Sequence, residues 1–301
     1  MKQTFCLVLI AMGIGLPQIA FSQLNIFACE PEWASLVNEL GGDRVLTTSA
    51  TTAHQDPHRI EARPSLIAKV RRADLLVCSG AELEVGWLPM LQRQAGNRKV
   101  LAGQAGYFEA AKWVDRLGIP EKVDRSMGDV HASGNPHVHL DPRRLLQIAT
   151  ALNERLISID PSNAQHYQSR FADFKHRWQM ALQRWQRLAE PLKGMRLVVH
   201  HQDWDYLFDW LHIEKVGALE PKPGLPTTAG HLAKLRQSLT EAPASAIIYT
   251  HYQNPKAAMR LSQLTGIVAV ELPYTVGGGE GVTDLFTLFD ETLQRLLKVK
   301  S

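Results

Sequence analysis

The chain has 301 residues, with 33 Lys and Arg against 30 Asp and Glu, so its formal net charge is only +3. A nearly balanced charge argues against nucleic acid as a partner, because phosphate backbones are bound by clusters of basic residues. Hydrophobic residues make up 45% of the sequence, which is typical of a globular protein that can bury a large core.

The first residues have the features of a secretory signal peptide. Lys2 supplies the positive end, residues 5–14 are apolar, and Ala20-Phe21-Ser22 is a small-x-small cleavage signal. An uncleaved membrane anchor is the alternative, but the apolar stretch is shorter than a membrane-spanning helix. We therefore expect residues 1–22 to be removed. Cys6 lies too early for lipid attachment, so we expect a periplasmic protein without a lipid anchor.

Two cysteines, Cys29 and Cys78, are left after cleavage. An even pair in an oxidising compartment favours a disulfide. Each of them ends a short apolar segment that is typical of a buried strand. The alternative is a pair of free thiols.

The first half of the mature chain alternates between strand and helix patterns. Strands are predicted at 24–29, 44–48, 74–78 and 99–102, and helices at 31–40, 65–72, 85–95 and 142–158. This alternation predicts a parallel sheet with helices on both faces. Residues 103–136 give no regular pattern.

A long helix is predicted from about residue 161 to 189, where large apolar residues recur at spacings of three and four. We interpret it as a connector between two lobes; the alternative is a surface helix packed on the second half. Beyond it, strands are predicted at 196–200, 214–218, 246–250 and 267–271, separated by helices. The predicted fold is two parallel-sheet α/β lobes joined by one long rigid helix. The proposed boundaries are 1–22 for the signal peptide, 23–160, 161–190 and 191–301.

Three histidines occupy positions where a parallel α/β lobe presents its ligands, beyond the carboxyl ends of the strands. His58 lies in a loop, in the motif Asp56-Pro57-His58; His137 precedes a helix that Asp141 can cap; His201 directly follows a strand. Neutral imidazole is the commonest protein ligand for zinc. The sequence therefore predicts a metal site in the cleft between the lobes.

The other histidines are weaker candidates. Alternation lets one member of the His200-His201 pair point into the cleft, and His201 is favoured because it lies at the strand end. His139 would point away from His137 in an extended segment. His54 and His131 are interpreted mainly as solvated or supporting side chains. Structural or surface roles are assigned to His166, His176, His212 and His231.

Three imidazoles leave a fourth position on a tetrahedral zinc ion. Glu271 closes the last predicted strand and can supply a carboxylate from the second lobe. His251, after the neighbouring strand, and a bound water are the alternatives. We expect Glu271 to be the fourth ligand.

The sequence lacks the common catalytic motifs. It has no His-Glu-x-x-His pair, no Gly-x-Ser-x-Gly elbow, and no Lys-Ser or Lys-Thr after the glycine run 277–281. A zinc hydrolase, the alternative from another class, needs an open metal position and a nearby general base. No motif supplies that base, so we predict that the protein is not an enzyme.

The motifs together resemble the zinc and manganese solute-binding proteins of bacterial ABC importers, the cluster 9 family. The pattern Asp-Pro-His followed by Pro-Ser appears at 56–65. The signature Asp-Pro-His-x-Trp-Leu-Asp-Pro appears, with Asn and His substitutions, at 135–142. The segment His-x-x-Trp-x-Tyr appears at 201–206. The resemblance covers nearly the whole mature chain.

This resemblance implies a protein that holds Zn²⁺ between two lobes and delivers it to the permease of a membrane ABC importer. His58 and His137 would come from the first lobe and His201 from the second. Manganese is the alternative cargo, although it favours more oxygen ligands; a cell-surface adhesin is a third possibility. The protein would act as a monomer and catalyse no reaction. The family's sheet order also implies that Cys29 and Cys78 lie side by side.

Three departures from the family pattern affect the site. The long histidine-rich loop of many members is reduced to His131, and His139 replaces an aromatic residue. The acidic ligand of the second lobe is usually aspartate in the family. Glu271 is the best match to that position in this chain.

Overall fold

Two four-stranded parallel sheets lie at the centre of the molecule. The computed structural model describes residues 23–122, 128 and 130–300, so the predicted signal peptide lies outside the described residues. The first sheet has the order β2-β1-β3-β4 and the second β6-β5-β7-β8. The strands are β1 (Leu24–Ala28), β2 (Val45–Ser49), β3 (Leu75–Cys78), β4 (Tyr107–Glu109), β5 (Arg196–Val199), β6 (Glu214–Ala218), β7 (Ala246–Tyr249) and β8 (Ala269–Glu271). The two lobes thus share one strand order, and the prediction of two parallel α/β lobes is confirmed.

Helices connect the strands and cover the sheets. They are α1 (Pro31–Gly41), α2 (Pro64–Arg72), α3 (Leu88–Ala95), α4 (Pro142–Ile159), α5 (Ala164–Ala189), α6 (Asp205–Leu211), α7 (Ala229–Glu241), α8 (Lys256–Thr265) and α9 (Leu285–Lys300). The predicted cap at Asp141 is present, since its side chain accepts a hydrogen bond from the first turn of α4. The side chain of Thr228 caps α7 in the same way. No helix in these ranges is long and apolar enough to cross a membrane.

The long helix α5 spans 26 residues and connects the two lobes, as predicted. Its buried face carries Trp178 and Trp185, whose indole N–H groups donate to Pro142 O of α4 and to Asp290 of α9. One continuous apolar cluster runs from the first sheet along this face to the second sheet. A shared core of this kind holds the lobes in a fixed relation on the side of α5. The domain boundaries proposed from the sequence stay predictions.

The fourth strand lies later in the chain than expected. Residues Arg98–Val100 form a short 3₁₀ helix, and the edge strand is Tyr107–Glu109, paired through Leu76 and Tyr107. Val100 is buried but Leu101 is 38% exposed. The apolar segment therefore packs into the core through Val100 and does not pair with the sheet as a strand. The predicted helix at 85–95 begins at Leu88, because the preceding residues form turns in which Ala81 and Glu82 have positive φ.

A disulfide joins Cys29 and Cys78, which confirms the predicted pair. The two cysteines lie at the carboxyl ends of adjacent strands β1 and β3, where Cys29 N donates to Val77 O at 2.8 Å. Their Cα atoms are 4.8 Å apart. The bridge ties together the strand ends from which the first lobe's cleft residues extend.

Two carboxyl groups are buried beside the disulfide. Glu84 accepts hydrogen bonds from Ser79 N and Gly80 N, at 2.7 and 3.1 Å, and Ser79 Oγ donates to Glu30 at 3.2 Å. Burial raises the pKa of Glu84 to about 7. Burial, together with the charges of Glu84 and Glu32, raises the pKa of Glu30 well above its usual value. Glu84 has the backbone donors that favour an ionised carboxylate, so we infer that Glu30 carries the proton of this pair.

We expect Glu30→Gln to remove part of the loss of stability at high pH. The raised folded-state pKa means that protonated Glu30 stabilises the fold at low pH, and this contribution is lost as the pH rises through that pKa. The amide of Gln does not ionise, and its oxygen can accept the hydrogen bond from Ser79 Oγ. In urea unfolding of metal-free protein, the variant should therefore exceed the parent in free energy of unfolding at about pH 9, with a smaller difference at about pH 5.

The control is Glu61→Gln, at an exposed loop position, which should follow the parent at both pH values. Parallel pH profiles for the parent and Glu30→Gln would show that Glu30 has no raised pKa in the folded protein.

Candidate metal site

His58 is held by the loop that follows β2. Asp56 Oδ1 accepts hydrogen bonds from His58 N at 3.0 Å and from His58 Nδ1 at 2.8 Å. Pro57 O accepts from the indole of Trp87, which fixes the loop to the first lobe. Burial raises the pKa of Asp56, but the hydrogen bond and charge of His58 outweigh it and the net pKa is lowered. An ionised Asp56 therefore keeps the proton on Nδ1 and leaves the Nε2 lone pair available.

The Nε2 atom of His58 is buried and has no hydrogen-bond partner among the described residues. A buried polar atom without a partner costs free energy and needs an explanation. A metal ligand is one, because a bound cation would take the lone pair.

His137 lies in the stretch that ends at the cap of α4 and is 1% exposed. Its backbone N donates to Asn135 Oδ1 at 2.9 Å, and its Nδ1 lies 2.5 Å from the hydroxyl of Tyr274. Burial, followed by the neighbouring imidazoles, lowers the pKa of His137 well below its usual value. The ring is therefore neutral at physiological pH, which is the form that binds metal.

His201 follows β5 and comes from the second lobe. Its Nδ1 lies 2.7 Å from Glu220 Oε2. Burial lowers the pKa of His201, but the hydrogen bond to Glu220 and the charges of Asp203 and Glu220 outweigh it and the net pKa is raised. Glu220 has a lowered pKa, because the interaction with His201 outweighs burial. The Glu220 carboxylate thus orients His201 as Asp56 orients His58.

The rings of these three histidines converge from both lobes. Their centroids lie 5.7 Å apart for His58 and His137, 5.6 Å for His58 and His201, and 6.2 Å for His137 and His201. A cavity of about 70 Å³ lies beside His137 and His201. Imidazole rings held through Nδ1 are a donor set that suits a tetrahedral zinc ion. His201 is close to this group by its ring, but the ring nitrogens that lie within 4.8 Å of one another belong to His58, His131 and His137.

His131 joins this cluster, although the sequence suggested a mainly solvated side chain. Its ring lies 5.4 Å from that of His58 and 6.4 Å from that of His137. One ring nitrogen from each of His58, His131 and His137 lies within 4.8 Å of the other two. The irregular segment 103–136 gave no pattern from which the direction of this side chain could be predicted.

The structure does not bring Glu271 into the histidine cluster. Its carboxylate Oε1 lies 2.7 Å from Nδ1 of His251 and 4.0 Å from Arg295. Strand β7 separates β8 from β5, so the ends of these two strands are roughly 10 Å apart at the usual strand spacing. The ring of His251, the alternative fourth ligand, lies beside that of His54, with the centroids 5.4 Å apart.

A carboxylate that sequence reasoning missed lies next to His201. Asp203 is fully buried, and its Oδ2 accepts hydrogen bonds from Gln253 at 3.1 Å and Tyr252 at 3.4 Å. Within the described part of the chain its Oδ1 has no partner. Burial raises the pKa of Asp203 to about 7. The available sequence signal was its position, two residues after a candidate ligand.

His139 contacts groups away from the cluster, because Val138–Leu140 form a short 3₁₀ helix and not the extended segment assumed from the sequence. It is fully buried, with Nδ1 3.3 Å from Glu32 and Nε2 3.0 Å from Tyr274 O. Thr275 Oγ1 donates to the other oxygen of Glu32. His139 and Glu32 therefore tie the second-lobe segment that carries Tyr274 to the first lobe.

Comparison with known proteins supports one family. Residues 26–299 match the family described as zinc-uptake complex component A, periplasmic. The chain is 24% identical over 259 residues to the high-affinity zinc uptake system protein ZnuA of Bacillus subtilis, covering 82% of this chain and 79% of that protein. It is 26% identical over 152 residues to the manganese ABC transporter substrate-binding lipoprotein PsaA of Streptococcus anginosus. That match covers 50% of this chain and 47% of the relative, so the chain spans about half the length of such relatives.

The fold is also similar to solved structures. A crystal structure of ZnuA superposes with a TM-score of 0.79 at 20% identity, covering 93% of this chain and 100% of the other. The family match covers most of the chain, from β1 to α9. The chain therefore belongs to the periplasmic zinc-uptake complex component A family, among the zinc and manganese solute-binding proteins of ABC importers.

Proposed function

We propose that this protein captures Zn²⁺ in the periplasm and delivers it to the membrane permease of an ABC importer. The observation that carries the proposal is the convergence of His58, His137 and His201 from both lobes. Each has its Nδ1 held by a carboxylate or hydroxyl oxygen. Zinc accepts such imidazole ligands in tetrahedral sites.

The mechanism we propose is ligation across the cleft. His58 and His137 come from the first lobe and His201 from the second, so a bound ion favours the closed arrangement of the lobes. Metal binding requires loss of any proton on His201, whose pKa is raised by Glu220 and Asp203 against the effect of burial. A small opening of the cleft about α5 at the permease would move His201 away from the ion and release it.

For the fourth ligand we assign His131, with Glu271 as the alternative. His131 supplies a ring nitrogen next to His58 and His137, whereas the carboxylate of Glu271 already contacts His251. Asp203 adds a buried carboxyl group near His201, and its negative charge favours a cation beside that histidine. The proposed site is then rich in nitrogen, which favours zinc over manganese.

The protein that we propose acts as a monomer and catalyses no reaction. Asp56 and Glu220 are the carboxylates closest to the ligand histidines by their hydrogen bonds, and each is engaged in orienting an imidazole. A general base for metal-assisted hydrolysis would need a carboxylate facing the metal-bound water. Asp203, the other buried carboxyl group near His201, accepts hydrogen bonds from Gln253 and Tyr252 through one oxygen. Binding and release without hydrolysis are supported by the match to a zinc-uptake family.

Purified mature protein should bind one zinc ion tightly and bind manganese much more weakly. The imidazole donor set is the physical reason, since manganese prefers oxygen ligands. Elemental analysis followed by a zinc and manganese competition titration provides the measurement. Displacement of zinc by manganese at comparable concentrations would show that the cargo is manganese.

His201→Ala should weaken zinc binding by about 100-fold or more, because loss of an oriented ligand costs at least as much as loss of the group that orients it. His200→Ala changes the adjacent, half-buried histidine and serves as the matched control. Its zinc affinity should stay close to that of the parent in a chelator competition assay. Equal losses in the two variants would contradict the assignment of His201.

His131→Ala should weaken the tight zinc site by about 10-fold or more, and Glu271→Gln should leave that site unchanged. The amide of Gln keeps the shape of Glu271 but loses its charge, so the pair separates the two candidate fourth ligands. Zinc affinities from chelator competition decide between them. The reverse pattern would make Glu271 the fourth ligand, as the sequence suggested.

A further inference from the structure

The arrangement that orients the ligand histidines is also found at His251. Its Nδ1 lies 2.7 Å from Glu271 Oε1, as the Nδ1 atoms of His58 and His201 contact Asp56 and Glu220. In such a carboxylate–histidine pair the proton stays on Nδ1 and Nε2 keeps its lone pair. Neither the histidine cluster nor the proposed delivery of zinc uses this oriented ring.

A second imidazole lies next to His251. The ring centroids of His54 and His251 are 5.4 Å apart, with the ring planes at 51°. Two imidazoles that share a tetrahedral zinc ion through bonds of about 2 Å have centroids roughly 5 Å apart. The spacing also matches that of His58 with His137 and with His201, at 5.7 and 5.6 Å.

The two residues come from opposite lobes and can be reached from solvent. His54 is exposed in the loop after β2, and His251 is partly exposed after β7. His54 also lines an open cavity of about 550 Å³, whose other walls include α1 and residues 276–284. A hydrated cation therefore has a path to His54 that does not pass through the buried cluster.

We propose that His54 and His251 form a second metal site, which binds a divalent cation of the zinc class between the lobes. Two imidazole nitrogens suit an ion of intermediate softness, and water molecules complete its coordination. Glu271 is the residue that positions His251. An ion at this site connects one residue of each lobe, so its binding favours the closed arrangement. The proposal does not depend on zinc being the transported cargo.

The test is a zinc titration of the mature chain by isothermal calorimetry. The parent should show a second binding event roughly 100-fold or more weaker than the first, because two protein ligands replace four. His54→Ala and His251→Ala should each remove the second event and leave the first unchanged. Glu271→Gln should weaken the second event roughly 10-fold, since it removes the group that orients His251.

His176→Ala is the matched control, because His176 is exposed on α5, far along the chain from both residues, and should retain both events. Thermal unfolding gives an independent readout: zinc in excess of the first site should raise Tm further in the parent and in His176→Ala. That further rise should be absent from His54→Ala and His251→Ala.

The proposal is overturned if the parent shows no second event up to about 1 mM zinc, a concentration well above that at which specific metal sites fill. It is also overturned if the second event survives in both alanine variants. Absence of the first, tight binding event would count against the proposed zinc delivery. The second site would still be tested, because the second event can be compared between the parent, His54→Ala and His251→Ala.

Discussion

The proposed metal site depends on the fixed distance between the two lobes. An imidazole binds zinc only when its nitrogen lies about 2 Å from the ion, so the lobes must be placed to within a fraction of that distance. Helix α5 provides this constraint, because Trp178 and Trp185 lie in a continuous apolar cluster that reaches both sheets. Their indole N–H groups also donate to Pro142 O and Asp290, which fixes the flanking helices α4 and α9.

On the cleft side the lobes are joined by polar contacts, which are easier to exchange with water than an apolar core. Asn135 Nδ2 donates to Gln202 O at 2.8 Å, and the hydroxyl of Tyr206 donates to Asn135 O at 2.8 Å. His139 contacts the backbone oxygen of Tyr274, and the hydroxyl of the same residue contacts His137. The lobes thus share an apolar core on the side of α5 and hydrogen bonds on the cleft side. This asymmetry favours small opening movements about α5 over separation of the lobes.

Charge in the site is arranged in two layers. The inner layer consists of imidazoles, of which His137 is kept neutral by burial and by its neighbours. The outer layer consists of Asp56 and Glu220, whose lowered pKa values keep them ionised as hydrogen-bond acceptors. In the proposed site, neutral nitrogens would face the ion and the two carboxylates would orient them from behind, which favours zinc over harder cations.

The sequence by itself determined the alternation of strands and helices, the long helix and the disulfide pair, and it singled out three histidines whose rings the fold brings together. These features have local signals: periodicity, caps, motif spacing and the position of a residue at a strand end. The sequence did not determine the fourth ligand, because Glu271 was chosen only from its position at the end of a predicted strand. Only the tertiary structure shows that β7 separates β8 from β5 and that Arg295 and His251 surround its carboxylate. The strand order and the path of the loop that carries His131 depend on long-range packing, which no local pattern records.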